Sequence, residues 1–388
     1  MPFAAALSTN TDAPLAVEEV ATAAKRLSGR ADLAVVFFSA HHYGEADALI
    51  ADLASKVNAK AMIGCLGEAI VGPHREIENE PAISLWLADF GGRVTVDPFH
   101  LTPEVTPDGP SLLGYPDALD ECDPKQAAML VLGDPYTFPL NELFFPRIQD
   151  ECPGLAVVGG MSSGSPGAGQ TLLVHGGEVV SVGAVGALLR GPGLSRTVVS
   201  QGCRPIGRHL VITKGHDNVI EEVSGQPPLV YLQELFQTLP VKDQELVQRA
   251  LHVGVVMSEY RESFGRGDFL IRNIMGIDQH TGALAITDRV RVGQTIQFQV
   301  RDAAAADDDL RTLLKADNTK HGAASGSLLF TCNGRGTRMF PTPNHDVKCL
   351  EDEFGPLPVS GFFAAGEFGP VGGVNYIHGF TASVVLFE

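Results

Sequence analysis

The 388-residue sequence has few cysteines, few basic residues and no long hydrophobic run. Its six cysteines include no CxxC pair, which argues against a disulfide framework and a structural zinc site and predicts reduced thiols in a cytoplasmic protein. The best candidate for a membrane span, residues 181–189, stops at Arg190 and falls short of the roughly 20 apolar residues required. No Lys or Arg precedes the first apolar run, so the N-terminus does not resemble a secretory signal.

Basic side chains are scarce relative to acidic ones: 28 Lys and Arg face 46 Asp and Glu, for a formal net charge of -18. Broad binding to nucleic acid or to an anionic membrane needs basic residues that displace counterions or meet acidic lipids. The charge of this acidic protein therefore excludes both as partners of the whole surface. With 44% hydrophobic and 19% charged residues, the chain can bury a large core, and disorder is excluded for most of its length.

Glycine is abundant, with 43 residues, and 25 prolines add further turn positions between short strands. Strand-helix-strand-strand order occurs in three copies, each with a buried first strand, an apolar helical stripe and a second strand ending near glycine. Copy 1 has predicted strands at 33–39, 61–68 and 82–90 and a helix at 46–57. Copy 2 has strands at 127–133 and 155–164, a helix at 140–148 bent or shortened by Pro146, and a hairpin at 171–189 about Gly176-Gly177. Copy 3 has strands at 326–332, 358–367 and 381–387 and a helix at 346–354 with Asn344 as its cap.

The spacing within the copies supports a structural repeat. From the first strand to the glycine that ends the second, the copies span 34, 37 and 39 residues, and from that glycine to the last strand they span 16, 18 and 16. The alternative is that any α/β protein shows strand-helix-strand order. Agreement of the glycine and hairpin positions favours the repeat.

A different pattern separates copies 2 and 3. It predicts paired strands at 198–225, a helix at 227–240, a strand-rich meander at 251–302 and a helix at 303–316. The predicted fold class is α/β (α+β), with three β-α-β-β repeat-like copies forming mixed sheets and a strand-rich meander inserted before the last copy. The predicted divisions of the chain are an N-terminal extension (1–30) with a helix at 16–27, an N-terminal domain (31–218) and a C-terminal domain (219–388).

Motifs for catalysis and nucleotide binding are weak or missing. Residues 160–164 match G-x-S-x-G, but a nucleophile elbow enters a helix at once, whereas the loop-forming sequence SPGAGQ follows here. No GxxxxGK[ST], HExxH or EF-hand loop occurs. The twelve histidines include no pair at metal-ligand spacing on a helix, and each is interpreted as a structural or surface residue. A haem or metal ligand stays open as an alternative, because axial ligation can need only one imidazole.

The densest polar segment, CNGRGTR (332–338), begins where the buried strand 326–332 ends. Strand ends of open sheets commonly bind ligands. Arg335 stands between two glycines, which suits a bidentate contact with the carboxylate of a ligand and leaves backbone N–H groups accessible. The alternative is that Arg335 ties the loop to an internal acid such as Glu367.

Further polar residues lie at strand ends of the same copy: Glu367 ends the second strand, and Asn375 and His378 precede the last. Together they supply a cation, an anion, an amide and an imidazole, which suits a small zwitterion or polar metabolite. Alternatively, Asn375 and His378 hold a hairpin turn, and Cys332 is either a packed thiol or one activated by the neighbouring arginine. The counterpart in copy 1 is Gly67-Glu68 with Cys65. The predicted ligand-binding residues are Cys332, Asn333, Gly334, Arg335, Gly336, Gly366, Glu367, Asn375 and His378.

Copy 3, with CNGRGTRMF (332–340), GFFAAGEFGP (361–370) and NYIHGFTASVVLF (375–387), resembles the C-terminal half of the FIST domain. MIGCLGE (62–68) and VVGGMSSG (157–164) resemble its N-terminal half, so the resemblance covers roughly residues 31–388. The resemblance implies a sensory module that binds small ligands, amino acids among them, and that is often attached to kinase, chemotaxis or cyclic-nucleotide output domains. Some relatives are haem-binding nitric oxide sensors, and others belong to ubiquitin-ligase substrate receptors.

On this resemblance, residues 31–218 are FIST N-like and residues 219–388 are FIST C-like. No output domain, F-box-like segment or membrane anchor is recognised before Leu33, so signalling is expected to go through a separate partner protein. We expect a stand-alone cytoplasmic protein that binds an amino acid or small carboxylate, without catalysis and without a required cofactor. The alternatives are a haem-binding nitric oxide or redox sensor that uses a histidine or Cys332, and a hydrolase that uses Ser162 or Cys332.

Overall fold

The computed structural model describes residues 2–27, 29–192, 195–260, 263–265 and 267–388. These residues form two compact units. The larger unit contains the described residues up to Val199 together with Leu310–Ile377 and Thr381–Glu388, and the smaller unit contains those of Ser200–Asp309 and His378–Phe380. The predicted domain boundary between residues 218 and 219 stays a prediction.

Strands outnumber helices among the described residues. In chain order, the strands up to residue 201 are β1 (Phe3–Ser8), β2 (Leu33–Ser39), β3 (Ala61–Gly67), β4 (Ala69–Gly72), β5 (Arg75–Glu78), β6 (Ile83–Ala88), β7 (Thr95–Thr106), β8 (Gly109–Leu113), β9 (Ala127–Gly133), β10 (Ala156–Met161), β11 (Leu173–His175), β12 (Glu178–Val180), β13 (Ala184–Arg190) and β14 (Ser195–Gln201). Those that follow are β15 (Cys203–Pro205), β16 (Leu210–His216), β17 (Val219–Val223), β18 (Leu251–Val256), β19 (Phe269–Ile277), β20 (Leu284–Ile286), β21 (Thr295–Arg301), β22 (Gly326–Cys332), β23 (Val359–Ala364), β24 (Glu367–Val371), β25 (Val374–His378) and β26 (Thr381–Phe387). The α-helices are α1 (Ala13–Ala21), α2 (Ala46–Val57), α3 (Phe145–Glu151), α4 (Pro228–Thr238), α5 (Val241–Ala250), α6 (Ala303–His321) and α7 (His345–Phe354).

Three sheets of the larger unit share one strand order. In each sheet, the first two strands of one copy pair in parallel, the last strand of that copy pairs antiparallel on one side, and a hairpin from another copy pairs on the other side. The orders are β1-β6-β2-β3-β11-β12, β25-β24-β10-β9-β13-β7-β8 and β14-β26-β22-β23-β4-β5. The hairpin β11–β12 of copy 2 therefore lies in the sheet of copy 1. The hairpin β24–β25 of copy 3 lies in the sheet of copy 2, and the hairpin β4–β5 of copy 1 lies in the sheet of copy 3.

The central strands of these sheets form because their apolar runs can be covered on both faces. Every residue of β2, β3 and β9 is buried, as is typical of parallel strands between two layers. One layer is helical: α2 turns Leu49, Ile50 and Leu53 toward the sheet. On the opposite face, aromatic rings from two sheets meet, with Phe37 stacked on Phe362 at a centroid distance of 5.1 Å. This shared core joins the sheets of copies 1 and 3.

The smaller unit is an antiparallel sheet of order β15-β21-β16-β17-β20-β19-β18. An additional pairing of β21 with β18 closes the last six strands into a ring. Apolar side chains such as Ile212, Leu284 and Phe298 fill its core, and Tyr231 of α4 stacks on Phe298. The predicted fold class, mixed α/β sheets with a strand-rich insertion before the last copy, is confirmed. Among the described residues, no helix is both long and apolar enough to cross a membrane.

Local predictions had mixed outcomes. The hairpin of copy 2 turns at Gly176-Gly177 as predicted, both at positive φ (62° and 94°), as a type I′ turn requires. It is shorter than the predicted 171–189, because it contains only β11 and β12, and β13 belongs to another sheet. Asn344 occupies the N-cap position of α7, as predicted, but its side chain accepts a hydrogen bond from the backbone N–H of Glu76 at 2.7 Å and makes no capping bond to α7. The helix predicted at 140–148 is present as a π-helical segment, Leu140–Phe144, that continues directly into α3, and Pro146 lies in the first turn of α3 just after this change of helix type.

Candidate functional site

The loop of residues 332–338 lies at the carboxyl end of the parallel pair β22 and β23, where Cys332 is opposite Ala364. On the other side of β23, strand β4 runs antiparallel, with Ile70 opposite Phe362. Continuing that register brings Glu68 to the same sheet edge as the loop. Strand β5 then pairs with β4 so that Glu78 is opposite Ala69. Residues more than 250 positions apart in sequence therefore converge.

Beside the loop is a small open pocket, which we call the surface pocket and which encloses about 70 Å³. Arg338 is its cation: the side chain is 55% exposed, donates to the carboxylate of Glu68, and donates to the carbonyl oxygen of Asn333 at 2.8 Å. The Asn333 amide donates to the other oxygen of Glu68 at 2.9 Å. The residues that line the surface pocket are Glu68, Ala69, Glu78, Asn79, Asn333, Thr337, Arg338 and Phe363.

Glycine is required at position 336 to form this pocket. Gly336 has a φ of 57°, in the left-handed region that side chains other than glycine rarely adopt. A Cβ there would lie 2.7 Å from both a Glu78 carboxylate oxygen and the Phe363 ring. The close approach lets the backbone N–H and hydroxyl of Thr337 bind the two oxygens of Glu78, at 2.9 and 2.8 Å. Glu78 is thereby fixed at the pocket wall.

Beneath the loop is a second group of ionisable residues, the buried cluster of Glu76, Arg335, Asp346 and Glu367. Arg335 is 0% exposed and forms a bidentate pair with Asp346, with both N–O distances at 2.7 Å. Burial opposes ionisation of Asp346, but the Arg335 charge and hydrogen bonds from Arg335 and His345 hold the pKa of Asp346 well below its ordinary value. Arg335 thus ties the loop to an internal acid, and that acid is Asp346, not Glu367 as the alternative interpretation suggested.

The two remaining carboxyl groups of the buried cluster are poorly solvated and incompletely bonded. Burial raises the pKa of Glu367 to about 8, against weaker lowering by hydrogen bonds from Thr381 and by Arg335. Burial and then repulsion from Asp346 raise the pKa of Glu76 to about 8. One oxygen of each carboxyl is buried without a well-formed hydrogen bond. The raised pKa values favour the protonated form of both groups at neutral pH, which leaves Arg335 and Asp346 as a compensated pair of charges.

Five of the nine predicted site residues lie in the loop of residues 332–338. Cys332, Asn333, Gly334, Arg335 and Gly336 form it, and the N–H of Gly334 contacts the Cys332 sulfur at 3.4 Å. Glu367 belongs to the buried cluster, and the carbonyl oxygen of the preceding Gly366 accepts a hydrogen bond from Met161 N–H at 2.8 Å.

Two predicted residues lie elsewhere. Asn375 binds the backbone of Leu155 and Val157, at the end of β10 opposite to Met161, and so holds the β24–β25 hairpin to that strand. This contact matches the hairpin-holding alternative for Asn375. His378 is buried and groups with the smaller unit.

Several residues of the two groups were not predicted as site members. Glu68 was recognised only as the copy 1 counterpart of Glu367, and Arg338 only as part of the loop sequence. Nothing in the sequence distinguished Glu76, Glu78 or Asp346 from other acids.

Of the two residues behind the enzyme hypothesis, Ser162 is enclosed and Cys332 is partly exposed. Ser162 is 1% exposed and donates its hydroxyl hydrogen to the carbonyl oxygen of Leu66 at 2.8 Å. Residues 162–170 form a loop, as predicted, and not the helix of a nucleophile elbow. None of these observations favours catalysis at Ser162.

The haem hypothesis requires an imidazole that faces a cavity. His74 lines a cavity of about 230 Å³ between β1 and residues 356–358, and its Nδ1 pairs with Glu351 at 2.8 Å. That volume is below the roughly 300–1,000 Å³ typical of pockets for drug-sized ligands, and a haem is larger still. The residues around His74 therefore do not fit a haem.

Comparisons with known proteins cover nearly the whole chain. The FIST N domain model matches residues 32–226, and the FIST C domain model matches residues 228–370. An uncharacterized protein of Mycobacterium tuberculosis is 44% identical over 390 residues, which is 100% of both chains. An uncharacterized protein of Mycobacterium bovis is 42% identical over 375 residues, which is 96% of this chain and 95% of its own. The matched segments include every residue that lines the surface pocket.

Proposed function

The chain belongs to the FIST family, whose domains are sensory domains that bind small ligands, and from this premise we propose that it binds a small zwitterion or carboxylate in the surface pocket. An amino acid is the simplest ligand of this class. The observation that carries the proposal is that one exposed cation, Arg338, and two carboxylates, Glu68 and Glu78, line the same pocket. We further propose that the protein is cytoplasmic and passes its signal to a separate output protein.

The charges of the surface pocket are complementary to those of an amino acid. The planar guanidinium of Arg338 suits a ligand carboxylate, because its N–H groups can form two parallel hydrogen bonds. The carboxylates of Glu68 and Glu78 suit a ligand ammonium group, which has three donors. Because the protein carries a net charge of -18, attraction of a carboxylate must be local to Arg338.

Arg338 can exchange its partner at low cost, whereas Arg335 cannot. The pair of Arg338 with Glu68 is 55% and 35% exposed, and exposed pairs contribute only about 0–1 kcal/mol. Breaking a buried pair such as Arg335–Asp346 costs about 3–5 kcal/mol. We therefore assign ligand contact to Arg338 and Asn333, and we assign to Arg335, Gly334 and Gly336 the role of shaping the loop.

The size of the surface pocket limits the ligand. A cavity needs about 10–15 Å³ to hold one water molecule, so the 70 Å³ of the surface pocket corresponds to about five to seven water-sized groups. Glycine, alanine and serine have this size, and longer amino acids have to extend their side chains into solvent. The preferred ligands are expected to be small.

Calorimetric titration of the full chain tests the proposal. Glycine, alanine and serine should bind, whereas acetate and methylamine, which each carry one of the two charges, should bind more weakly. Arg338→Ala should weaken binding about 10- to 150-fold, because hydrogen bonds to charged groups contribute about 1.5–3 kcal/mol. The matched control is Arg311→Ala, which removes an exposed arginine paired with Asp352 at 3.0 Å and should leave affinity unchanged. No binding to the wild type, or equal loss in both variants, contradicts the proposal.

A further inference from the structure

Two cysteines of the larger unit have their sulfur atoms in contact. Cys122 and Cys152 are 30 positions apart in sequence, and their Sγ atoms lie 2.8 Å apart as free thiols. A disulfide bond is about 2.05 Å long, so a shift of less than about 1 Å would join them. Cys152 directly follows α3, and Cys122 lies in the segment 114–126 that connects β8 to β9.

Other contacts already hold this connecting segment against α3 and the turn before it. The ring of Tyr115 stacks on Phe144 at an interplanar angle of 9°, and the Arg147 guanidinium lies 3.9 Å from the Tyr115 ring centroid. Leu119 is buried in the same apolar cluster as Cys152. The backbone is therefore arranged for cross-linking before any bond forms, and closing the loop costs little additional chain entropy.

The environments of the two thiols differ. Cys152 is 3% exposed, and burial together with the neighbouring Cys122 raises the pKa of Cys152 to about 12. Cys122 is partly exposed and is the more exposed of the two residues. This asymmetry is that of a redox-active pair, in which an accessible cysteine reacts first and a buried neighbour resolves the product.

We propose that Cys122 and Cys152 are a redox modification site that takes hydrogen peroxide as oxidant and forms a reversible disulfide. The Cys122 thiolate attacks one peroxide oxygen, the O–O bond breaks, and the departing hydroxide takes up a proton to leave as water. The resulting sulfenic acid is attacked by the Cys152 sulfur; an S–S bond forms, the S–O bond breaks, and hydroxide leaves as water with the Cys152 proton. Two thiols lose two electrons, and one peroxide becomes two waters.

Mass spectrometry of the intact full chain tests the proposal. After treatment with a modest excess of hydrogen peroxide, we expect a mass lower by two hydrogen atoms and two fewer of the six thiols free to react with iodoacetamide. A non-reducing peptide map should contain a peptide in which Cys122 is linked to Cys152, and dithiothreitol should remove it. The oxidised protein should melt several degrees higher, because the cross-link constrains the unfolded chain.

Variants separate the roles of the two cysteines. Cys122→Ser should abolish the loss of two hydrogens, whereas Cys152→Ser should stop at a Cys122 sulfenic acid that dimedone labels. The control Cys203→Ala, which changes a buried cysteine of the smaller unit, should still form the disulfide. If a variant fails to fold, the peptide map of the wild type still decides. An unchanged wild-type mass, a link between other cysteines, or a dimedone adduct without the cross-link overturns the proposal.

Discussion

The buried cluster and the surface pocket lie on two sides of one loop, and each is built around an arginine. Arg335 and Arg338 are three positions apart, yet Arg335 is 0% exposed and Arg338 is 55% exposed. In the buried cluster, the partner of the arginine cannot be replaced by water or by a solute, so the pair fixes the shape of the loop. In the surface pocket, water competes with each side chain of the pair for hydrogen bonds to the other. The comparison shows that exposure, and not residue type, separates a structural arginine from one available to a ligand.

The same contrast appears between equivalent strand ends of copies 1 and 3. Gly67 ends the second strand of copy 1 and Glu68 follows it, whereas Gly366 follows the second strand of copy 3 and Glu367 begins the next strand, β24. Glu68 is 35% exposed and meets Arg338, whereas Glu367 is fully buried, and burial raises the pKa of Glu367 to about 8. Two Gly-Glu pairs matched in sequence therefore carry an exposed carboxylate that pairs with an arginine and a buried carboxyl group whose pKa is raised.

The largest expected effect comes from breaking the buried pair. Asp346→Ala leaves the Arg335 guanidinium without its bidentate partner in a fully buried position. We expect a loss of about 3–5 kcal/mol in the free energy of unfolding, measured by urea denaturation of the full chain. The hydroxyl of Thr331, which donates to Asp346 at 2.5 Å, loses its acceptor as well.

The matched control for this variant is Asp352→Ala, which removes an exposed carboxylate 3.0 Å from Arg311. Its loss should stay below about 1 kcal/mol, because water screens that pair. Equal losses in the two variants would mean that the buried cluster does not stabilise the fold, and the distinction between the two regions would fail.

An intermediate effect is expected from the protonated acid of the buried cluster. The folded-state pKa of Glu367, about 8, is above the ordinary value of about 4.3 for an unfolded chain. Between these pH values, the unfolded chain releases the proton and the folded chain keeps it, so the contribution of Glu367 to stability is present below pH 4.3 and is lost toward pH 8. The loss is at most about 1.4 kcal/mol per pH unit.

Glu367→Gln removes this dependence, because an amide of the same shape cannot titrate and its oxygen can still accept from Thr381. Thermal unfolding followed from pH 5 to 8 should show the variant gaining stability relative to the wild type as the pH rises. Two parallel curves would contradict the assignment of a protonated Glu367.

The sequence predicted the positions of strands and helices better than it predicted which strands pair in each sheet. Apolar runs located β2, β9 and β22, and glycine located the hairpin at Gly176-Gly177. The exchange of hairpins among sheets was not predictable, because alternation of side chains defines a strand but says nothing about which sheet edge it joins. That exchange brings Glu68 and Glu78 to the loop of copy 3, so these residues were not predicted as site members.

The sequence predicted where the polar loop lies and left open whether Arg335 contacts a ligand or an internal acid. Polar residues after a buried strand predicted a ligand-binding cluster at 332–338, and the structure has a polar loop there after β22. Which arginine points inward depends on the left-handed turn at Gly336, and no periodicity reports on such a turn. Asp346, in the first turn of α7, is typical of an exposed acid near a helix N-terminus, yet it is 2% exposed.

The smallest effect on stability is expected from the surface pocket, and it is the sharpest test of the comparison. A double-mutant cycle with Arg338→Ala and Glu68→Gln should give a coupling of about 0.2–1 kcal/mol, decreasing as salt is added, because both side chains remain hydrated. The same Arg338→Ala variant should lose ligand affinity at least about tenfold. A coupling above about 2 kcal/mol would make this pair structural, like Arg335–Asp346. Such a pair would not release Arg338 to a ligand, since the ligand would have to offset the full strength of the existing contact.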